Sequence, residues 1–313
     1  MQKLTERDDN LLNIKWLCDI AHVSRSGYYA WLEQEKRRNE REEQDRADFE
    51  LILEVYQYRG YAKGSRSIYM RLLQMGIVMN RKKIQRLMNK YNLVCPIRKP
   101  NPYKRMAKAR HEHATKPNHL NRQFKAHGPK TVLLTDITYL YFGRGQKAYL
   151  ATIKDSFTNQ ILSYALSESL EVDFVLEMIE QLIEHHAIPR KQKTLIHSDQ
   201  GVHYTSVQFQ SLLNDKELRQ SMSRRGNCWD NAPQESFFGH MKDELGNLSS
   251  VLTFASLSIK IDDYMDYYNN ERYQWDLAKL SPNQYAAFIK TGVYPLAHLV
   301  KTPNLPAVAP LQD

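Results

Sequence analysis

Cysteine is scarce in this chain of 313 residues. Its three cysteines, Cys18, Cys95 and Cys228, are far apart and form no C-x-x-C pair. This argues against a disulfide framework and against a cysteine-rich zinc site. Four histidines, at positions 111, 113, 119 and 127, cluster loosely without a cysteine pair that would complete a tetrahedral set. We therefore interpret them as surface or DNA-facing histidines.

Long apolar runs are also missing. The longest, such as TVLLTDITYLYF at residues 131–142, are broken by polar residues well short of the roughly 20 that a membrane-spanning helix needs. The N-terminal sequence MQKLTERDDN has no apolar stretch behind a basic start, so it does not match a secretory signal. The sequence predicts a cytoplasmic protein without a transmembrane helix.

Acidic residues almost disappear from the middle of the chain. Between Val55 and Lys130 there are 19 basic residues and one acid, Glu112, which gives this stretch a net charge of +18. A merely solvated basic face normally interleaves acids, whereas this density calls for a polyanion to neutralise it. We therefore expect this part of the chain to bind nucleic acid.

The N-terminal half has a helical pattern. The stretch NLLNIKWLCDIAHVSRSGYYAWLEQ predicts two short helices, the second capped by a serine, and the highly charged residues 33–48 predict an exposed connecting helix. Ser65 and Asn80 then each precede an apolar-periodic segment, and Gly76 lies between them. Two short helices joined by a glycine turn are typical of a helix-turn-helix, which lays a basic helix in the major groove. The candidate DNA contacts are Arg66, Arg81, Lys82, Lys83 and Arg86.

After Lys130 the pattern changes to strands and helices. Three β-rich segments at hairpin distances are followed by an amphipathic helix, a strand ending in HSDQG and further helices, which predicts a mixed α/β domain. We divide the chain into an N-terminal helical region (1–48), a helix-turn-helix domain (49–95), a basic proline-containing linker (96–130), a catalytic domain (131–290) and a C-terminal tail (291–313).

Two aspartates lie on predicted strands. Asp136 is inside the first strand, and Asp199 ends a later one, at the strand edge where α/β sheets usually bind ligands. A carboxylate on a buried face must be paired with a base or bound to a cation, and a salt bridge is an open alternative for Asp136. Oxygen ligands favour Mg²⁺ or Mn²⁺ over zinc. A third acid is then expected, and the segment DNAPQESFFGHMKDEL, which begins at Asp230, could supply it.

These three positions carry a resemblance to a known family. Asp136, Asp199 and Glu235, with 62 and 35 intervening residues, resemble the D,D(35)E triad of retroviral-integrase-like transposases. The segments HSDQGVHYTS, SMSRRGNCWDNAPQESFFGHMKDEL and YYNNERYQWDLAKLSPNQY are similar to the second-frame (OrfB) transposase of the bacterial IS3 family of insertion sequences, in its IS150-like branch. The resemblance covers the chain from about Val23 to Tyr285.

The resemblance implies an RNase H-like fold for the catalytic core and a helix-turn-helix ahead of it. It implies that Asp136, Asp199 and Glu235 hold two Mg²⁺ ions, with Mn²⁺ able to substitute. It also implies cleavage at the ends of an insertion sequence to leave a 3′-OH, followed by attack of that 3′-OH on a second phosphodiester. No covalent protein intermediate is needed, which fits the lack of a convincing Ser or Tyr nucleophile motif.

Residues near Glu235 and Asp199 also receive candidate roles. Lys242 follows Glu235 by seven residues, on nearly the same helical face, and the resemblance makes it a DNA contact near the site. Asp230 or Asn231 is placed to cap the helix, and Pro233 fits its first turn. His197 and His203 flank Asp199, but Mg²⁺ disfavours imidazole, so we expect at most a supporting role for them.

The expected partners are the terminal inverted repeats of the element, target DNA, further copies of the chain on that DNA and an upstream OrfA-type product, with the protein near the bacterial nucleoid. Two alternative functions stay open. One is a nuclease with the same core, and the other is a DNA-binding regulator derived from a transposase.

Overall fold

The computed structural model of the protein describes residues 13–96, 120, 124–191, 193–223 and 231–309. Most of the predicted basic linker lies outside the described residues, as do three of the four clustered histidines, Cys228 and Asp230. No helix in the described part of the chain is long and apolar enough to cross a membrane.

Two short helices open the described chain. They are α1 (Ile14–Ile20), capped by the side chain of Asn13, and α2 (Arg25–Glu33), capped by the side chain of Ser24. The predicted helices and the serine cap are thus confirmed. Apolar spacing did not predict burial here, because Leu17 is buried while Trp16 and Ile20 are exposed.

Three further helices form the next unit. They are α3 (Glu35–Gln57), α4 (Ser65–Gln74) and α5 (Arg81–Lys90). The predicted pair of short helices is confirmed by α4 and α5, and Gly76 between them has φ +78°, which suits glycine. The N-cap of α4 is Gly64 instead of the expected Ser65, whereas Asn80 caps α5 with its side chain as expected.

The charged segment of residues 33–48 is a mostly exposed helix, as predicted, and it contains two buried acids. Helix α3 runs through residue 48 without a break, and Ile52 and Val55 pack in one apolar cluster with Ile68, Leu72 and Ile84. Asp45 and Asp48 are buried against α5. The prediction of an exposed helix is therefore confirmed except at Asp45 and Asp48, which meet bases on α5, a pairing between distant segments that no local pattern reveals.

The C-terminal half is built on a five-stranded mixed sheet. Its strands are β1 (Val132–Phe142), β2 (Gln146–Asp155), β3 (Ile161–Ser167), β4 (Leu195–Ser198) and β5 (Arg219–Met222), in the order β3-β2-β1-β4-β5. The first three strands form an antiparallel meander, while β4 runs parallel to β1 and β5 runs parallel to β4. The expected three-strand meander and later strand are confirmed; β5, a short and polar strand, was missed.

Helices cover both faces of this sheet. On one face, α9 (Ala232–Leu245) and α10 (Phe254–Asn270) pack their aromatic residues against Leu140 and Phe142 of β1. On the other face, α6 (Asp173–His185), α7 (Val202–Thr205) and α8 (Val207–Asp215) pack against Leu133 and Ile196. Since strand residues alternate in direction, even-numbered residues of β1 and β2 face α9 and odd-numbered ones face away.

Acidic side chains of α10 and of the residue that follows it help to attach the helical unit to the sheet domain. Glu271 accepts hydrogen bonds from Arg59 (2.6 Å), Arg71 (3.1 Å) and the hydroxyl of Tyr58 (2.6 Å). Arg59 also pairs with Asp263 at 2.7 Å. These contacts join the helix-turn-helix unit to the helix that supports α9.

The last helix, α11 (Pro282–Thr291), begins with a capping box between Ser281 and Gln284. The chain beyond it packs on the same helix, since Tyr294 and Leu296 are buried against Leu280 and Phe288. The first part of the segment that we defined as a tail is therefore part of a small apolar cluster.

Candidate active site

One candidate aspartate lies within β1, and the other directly follows the neighbouring parallel strand β4. Leu134 of β1 is the register partner of His197 of β4, and each aspartate follows two residues later in the chain. Adjacent strands are about 4.8 Å apart, so Asp136 and Asp199 start from adjacent backbone positions. Both are at the end of the β1–β4 pairing, where parallel strands of α/β sheets present ligand-binding groups.

A buried tyrosine links the two acids electrostatically. Tyr204 of α7 is fully buried, and its hydroxyl lies 3.2 Å from the hydroxyl oxygen of Thr135. Burial raises the pKa of Tyr204 well above its ordinary value, and the negative charges of Asp136 and Asp199 raise it further. Both carboxylates are therefore close enough to act on the same phenol.

Local backbone bonds orient each carboxylate. Oδ1 of Asp136 accepts from the backbone N–H of Ile137 at 2.8 Å, and Oδ1 of Asp199 accepts from the N–H of Gly201 at 2.9 Å. A Cβ atom at Gly201 would lie 2.9 Å from the same Oδ1 of Asp199, closer than real Cβ contacts come. Asp199 therefore depends on a glycine two residues later.

Glu235 lies in the first turn of α9, and its neighbours fix that turn to β2. The side chain of Gln234 is fully buried and donates to the hydroxyl and carbonyl oxygens of Thr152. Thr152 is the direct cross-strand partner of Asp136. Glu235 itself is exposed. Glu235 is therefore the next residue after Gln234, whose side chain is held beside Asp136.

Two more contacts hold the start of α9. Lys154 of β2 donates from Nζ to the carbonyl oxygen of Pro233 at 3.1 Å, and Asn231 donates from Nδ2 to the carbonyl oxygen of Thr135 at 3.5 Å. Asn231 is the N-cap residue, as one of the two predicted alternatives, but its side chain makes no capping bond. Pro233 lies in the first turn as expected.

The carboxylate oxygens of these three acids match the ligand preference of Mg²⁺ and Mn²⁺ better than that of zinc, which favours nitrogen and sulfur ligands. Within the described ranges, no three His, Cys, Asp or Glu side chains are close enough together to form a complete metal site. The donor chemistry fits a hard divalent cation.

Lys242 lies beside Asp136. It is half-buried on α9, and its Nζ is 5.1 Å from the centre of the Tyr139 ring. Burial lowers the pKa of Lys242, and the charge of Asp136 partly opposes this. The lysine that the sequence paired with Glu235 along the helix is therefore also close to the first acid of the triad.

The candidate DNA contacts of the helix-turn-helix fall into two groups. Lys83 pairs with Asp48, and both guanidinium nitrogens of Arg86 bond the carboxylate of Asp45 at 2.7 Å. These two bases are directed at α3. Lys82, the second residue after the N-cap Asn80, is exposed, and the guanidinium of Arg66 lies 5.7 Å from the ring of Trp275. Arg81 is half-buried.

The two histidines near Asp199 make structural hydrogen bonds. His197 is fully buried, with Nδ1 2.9 Å from the hydroxyl oxygen of Ser221 and Nε2 3.3 Å from that of Ser223. Nε2 of His203 lies 2.8 Å from the carbonyl oxygen of Leu170.

The sequence did not identify Lys154, Gln234 or Tyr204 as residues of the site. For Lys154, the pattern that could have indicated a role was a lysine on the helix-facing side of a strand.

Known proteins share this arrangement of sequence and domains. A family model described as an HTH-like domain matches residues 43–101, and two models described as an integrase core domain match residues 126–228 and 235–287. The putative transposase InsK of insertion sequence IS150 from Escherichia coli K12 is 35% identical over 75% of this chain and 81% of its own length. The chain belongs to the IS3-family transposases.

Other relatives of this transposase agree with that placement. A 31 kDa protein of insertion element IS600 from Shigella sonnei is 30% identical over 85% of the chain and 96% of its own length. Among solved structures, the catalytic core of the HTLV-2 integrase in complex with magnesium is 16% identical, with a TM-score of 0.41 over 50% of this chain and 97% of that one. The integrase-core models and the observed strand order together identify an RNase H-like catalytic core in an enzyme of the DDE transposase/integrase type.

Proposed function

We propose that this transposase cuts DNA at the ends of an insertion sequence and joins the resulting 3′-OH to a second phosphodiester, with Asp136, Asp199 and Glu235 as its metal ligands. The observation that carries the proposal is the register of β1 and β4. It supports the proposal because Asp136 and Asp199 each follow a register pair of β1 and β4 by two residues, and because Gln234, beside Glu235, bonds to Thr152, the cross-strand partner of Asp136.

Two Mg²⁺ ions, or Mn²⁺ in their place, would supply activation of the attacking oxygen and stabilisation of the leaving oxygen when bound. The chain's own part is to hold the three carboxylates. Asp136 and Asp199 are oriented by backbone N–H groups, and Glu235 is fixed through the first turn of α9. Lys242, beside Asp136, is placed to bind a DNA phosphate near the site.

The basic N-terminal half of the chain supports binding of DNA. The helix-turn-helix would hold the terminal inverted repeats through Arg66, Arg81 and Lys82, whereas Lys83 and Arg86, the other two candidates, are held by the acids of α3. Target DNA would bind at the carboxylates of Asp136, Asp199 and Glu235. Assembly of several copies on DNA, cooperation with an upstream OrfA-type product and action at the bacterial nucleoid belong to the same proposal.

One experiment separates this function from its two rivals. The protein is incubated with Mg²⁺ and DNA that carries the terminal inverted repeat of its element, and the strands are sized for a 3′ nick and for a joined product. A specific nick followed by joining supports the transposase. Binding without a nick would instead indicate a regulator, and equal cutting of unrelated DNA would indicate a nuclease.

A further inference from the structure

One face of the β1–β2 hairpin carries an unusual set of side chains. Tyr139 and Tyr141 of β1 are opposite Tyr149 and Lys147 of β2 in the strand register, so all four project from the same face. Tyr139 is 50% exposed and Tyr141 is 61% exposed, which is high for large aromatic residues in a strand. We call these four residues the tyrosine–lysine face.

The rings and cations of this face contact one another. Nζ of Lys147 lies 5.1 Å from the centre of the Tyr139 ring and 4.9 Å from that of Tyr149, and the rings of Tyr139 and Tyr141 meet edge-on at 5.9 Å. The hydroxyl of Tyr149 and the neighbouring tyrosines raise the pKa of Lys147, so it keeps its positive charge at neutral pH. Arg144, in the exposed turn of the hairpin, adds a second cation at its tip.

This face lies on the other side of β1 from the Asp136 carboxylate. Tyr139 follows Asp136 by three residues, about 10 Å along the strand, and the two side chains point to opposite faces of the sheet. Lys242 connects the two, since it responds to the charge of Asp136 and its Nζ lies 5.1 Å from the Tyr139 ring. The pairing of β4 with β1 runs from Val132 to Leu134, so this second half of β1 is beyond the part that β4 pairs with.

Exposed aromatic rings interleaved with cations suit an unpaired nucleic-acid strand, because bases stack on the rings while the cations attract phosphates. A paired duplex offers no free base faces to such a surface. We propose that the tyrosine–lysine face binds unpaired nucleotides of the DNA end beside the scissile phosphate. The inference deepens the proposed function and rests on it for the identity of the DNA.

The test uses the full chain in a metal-free buffer, so that it does not depend on cleavage. The probes are a blunt duplex and the same duplex with a three-nucleotide unpaired tail that contains 2-aminopurine. Affinity is measured by anisotropy, and stacking by quenching of the 2-aminopurine fluorescence. The wild type should prefer the tailed duplex and quench its fluorescence.

Replacing Tyr139 and Tyr141 by alanine should remove this preference and the quenching, with a loss of about 5- to 150-fold for each stacked base, which corresponds to roughly 1–3 kcal/mol. The Tyr139→Phe and Tyr141→Phe variants should keep both signals, because the ring is retained. Lys147→Ala should weaken binding of the tail, and Tyr29→Ala, at a tyrosine that is 49% exposed on α2, should leave the preference intact.

The single variant Tyr141→Ala, at the more exposed ring, shows the effect even if the double variant folds poorly. Equal binding of blunt and tailed duplexes by the wild type would overturn the proposal, as would a tail preference that survives both alanine changes. Loss of self-association in the variants without a change in tail preference would assign the face to a second copy of the chain and would equally overturn it. A failure to cut DNA with Mg²⁺ present would count against the proposed function alone.

Discussion

The Nζ atom of Lys154 lies 3.1 Å from the carbonyl oxygen of Pro233, so a buried lysine of the sheet holds the first turn of the helix that carries Glu235. Lys154 is the register partner of Leu134 and lies diagonally across the strands from Asp136. The same contact therefore ties the third acid of the site to the strand pair that bears the first.

Burial of this lysine predicts a pH-dependent stability. Burial, and then the charges of Lys125 and Arg272, lower the pKa of Lys154 to about 7. Between pH 7 and the ordinary value of 10.5, the unfolded chain binds this proton and the folded protein does not, so its contribution to stability rises with pH. The wild type should gain on the order of 1 kcal/mol per pH unit relative to Lys154→Met in this window.

The free energy of unfolding of the wild type and of Lys154→Met is measured in urea at pH 7, 8 and 9. Lys290→Met, which changes an exposed lysine of α11, should follow the wild type at every pH. Parallel stability curves for the wild type and Lys154→Met would show that Lys154 stays charged in the folded protein.

The carboxylates of the site should be separable from DNA binding. Asp199→Asn and Glu235→Gln each remove a charged oxygen ligand while keeping the shape of the side chain, so strand joining should fall by roughly 10³-fold or more. Binding to the element's end should change little, because the proposed surface for it is on the helix-turn-helix. Product formation with Mg²⁺ and gel-shift affinity without metal are compared for each variant. Joining that persists in either variant would remove that residue from the ligand set.

Two bases of α5 should behave differently, because one of them, Arg86, is held in an ion pair with α3. Arg86 bonds Asp45 with both terminal nitrogens, and the side-chain bonds from Arg86 and then Lys90 hold the pKa of Asp45 well below its usual range. Arg86→Ala should therefore lower the unfolding free energy by about 1 kcal/mol. Lys82→Ala should leave stability unchanged and weaken DNA binding.

The salt dependence of DNA binding measures the contribution of Lys82. If Lys82 neutralises a phosphate, its removal should reduce the slope of log affinity against log salt by about 1. Arg86→Ala should leave that slope close to the wild-type value. Identical slopes for the wild type and Lys82→Ala would take Lys82 out of the DNA interface.

Local patterns predicted the parts of this protein that depend on local physics. β-Branched and aromatic runs predicted the meander of β1, β2 and β3, and side-chain caps predicted α2 and α5. The spacing of Asp136, Asp199 and Glu235 came from a family resemblance, and the strand register then supplied a physical reason for the first two.

The unpredicted parts depend on segments that are distant in the sequence. Arg86 and Asp45 are 41 residues apart, and the buried role of Lys154 exists only because α9, some 80 residues later, covers that face of β2. Strand β5 has a polar sequence, RQSM, and forms because it pairs in parallel with the edge of β4. No pattern within a short window contains this information.

A glycine next to Asp199 offers the last test of the site. A methyl group at Gly201 would come within 2.9 Å of Oδ1 of Asp199, whereas nothing lies within 4 Å of the same position at Gly239 on α9. Gly201 has an ordinary negative φ of −61°, so Gly201→Ala should fold and should displace the Asp199 carboxylate. Joining should fall about tenfold, and a higher Mg²⁺ concentration should be needed for half-maximal product. Gly239→Ala should keep full activity and stabilise its helix by up to about 1 kcal/mol. Titrating Mg²⁺ in the joining assay for both variants checks this, and a wild-type Mg²⁺ requirement in Gly201→Ala would mean that Asp199 does not depend on this close approach.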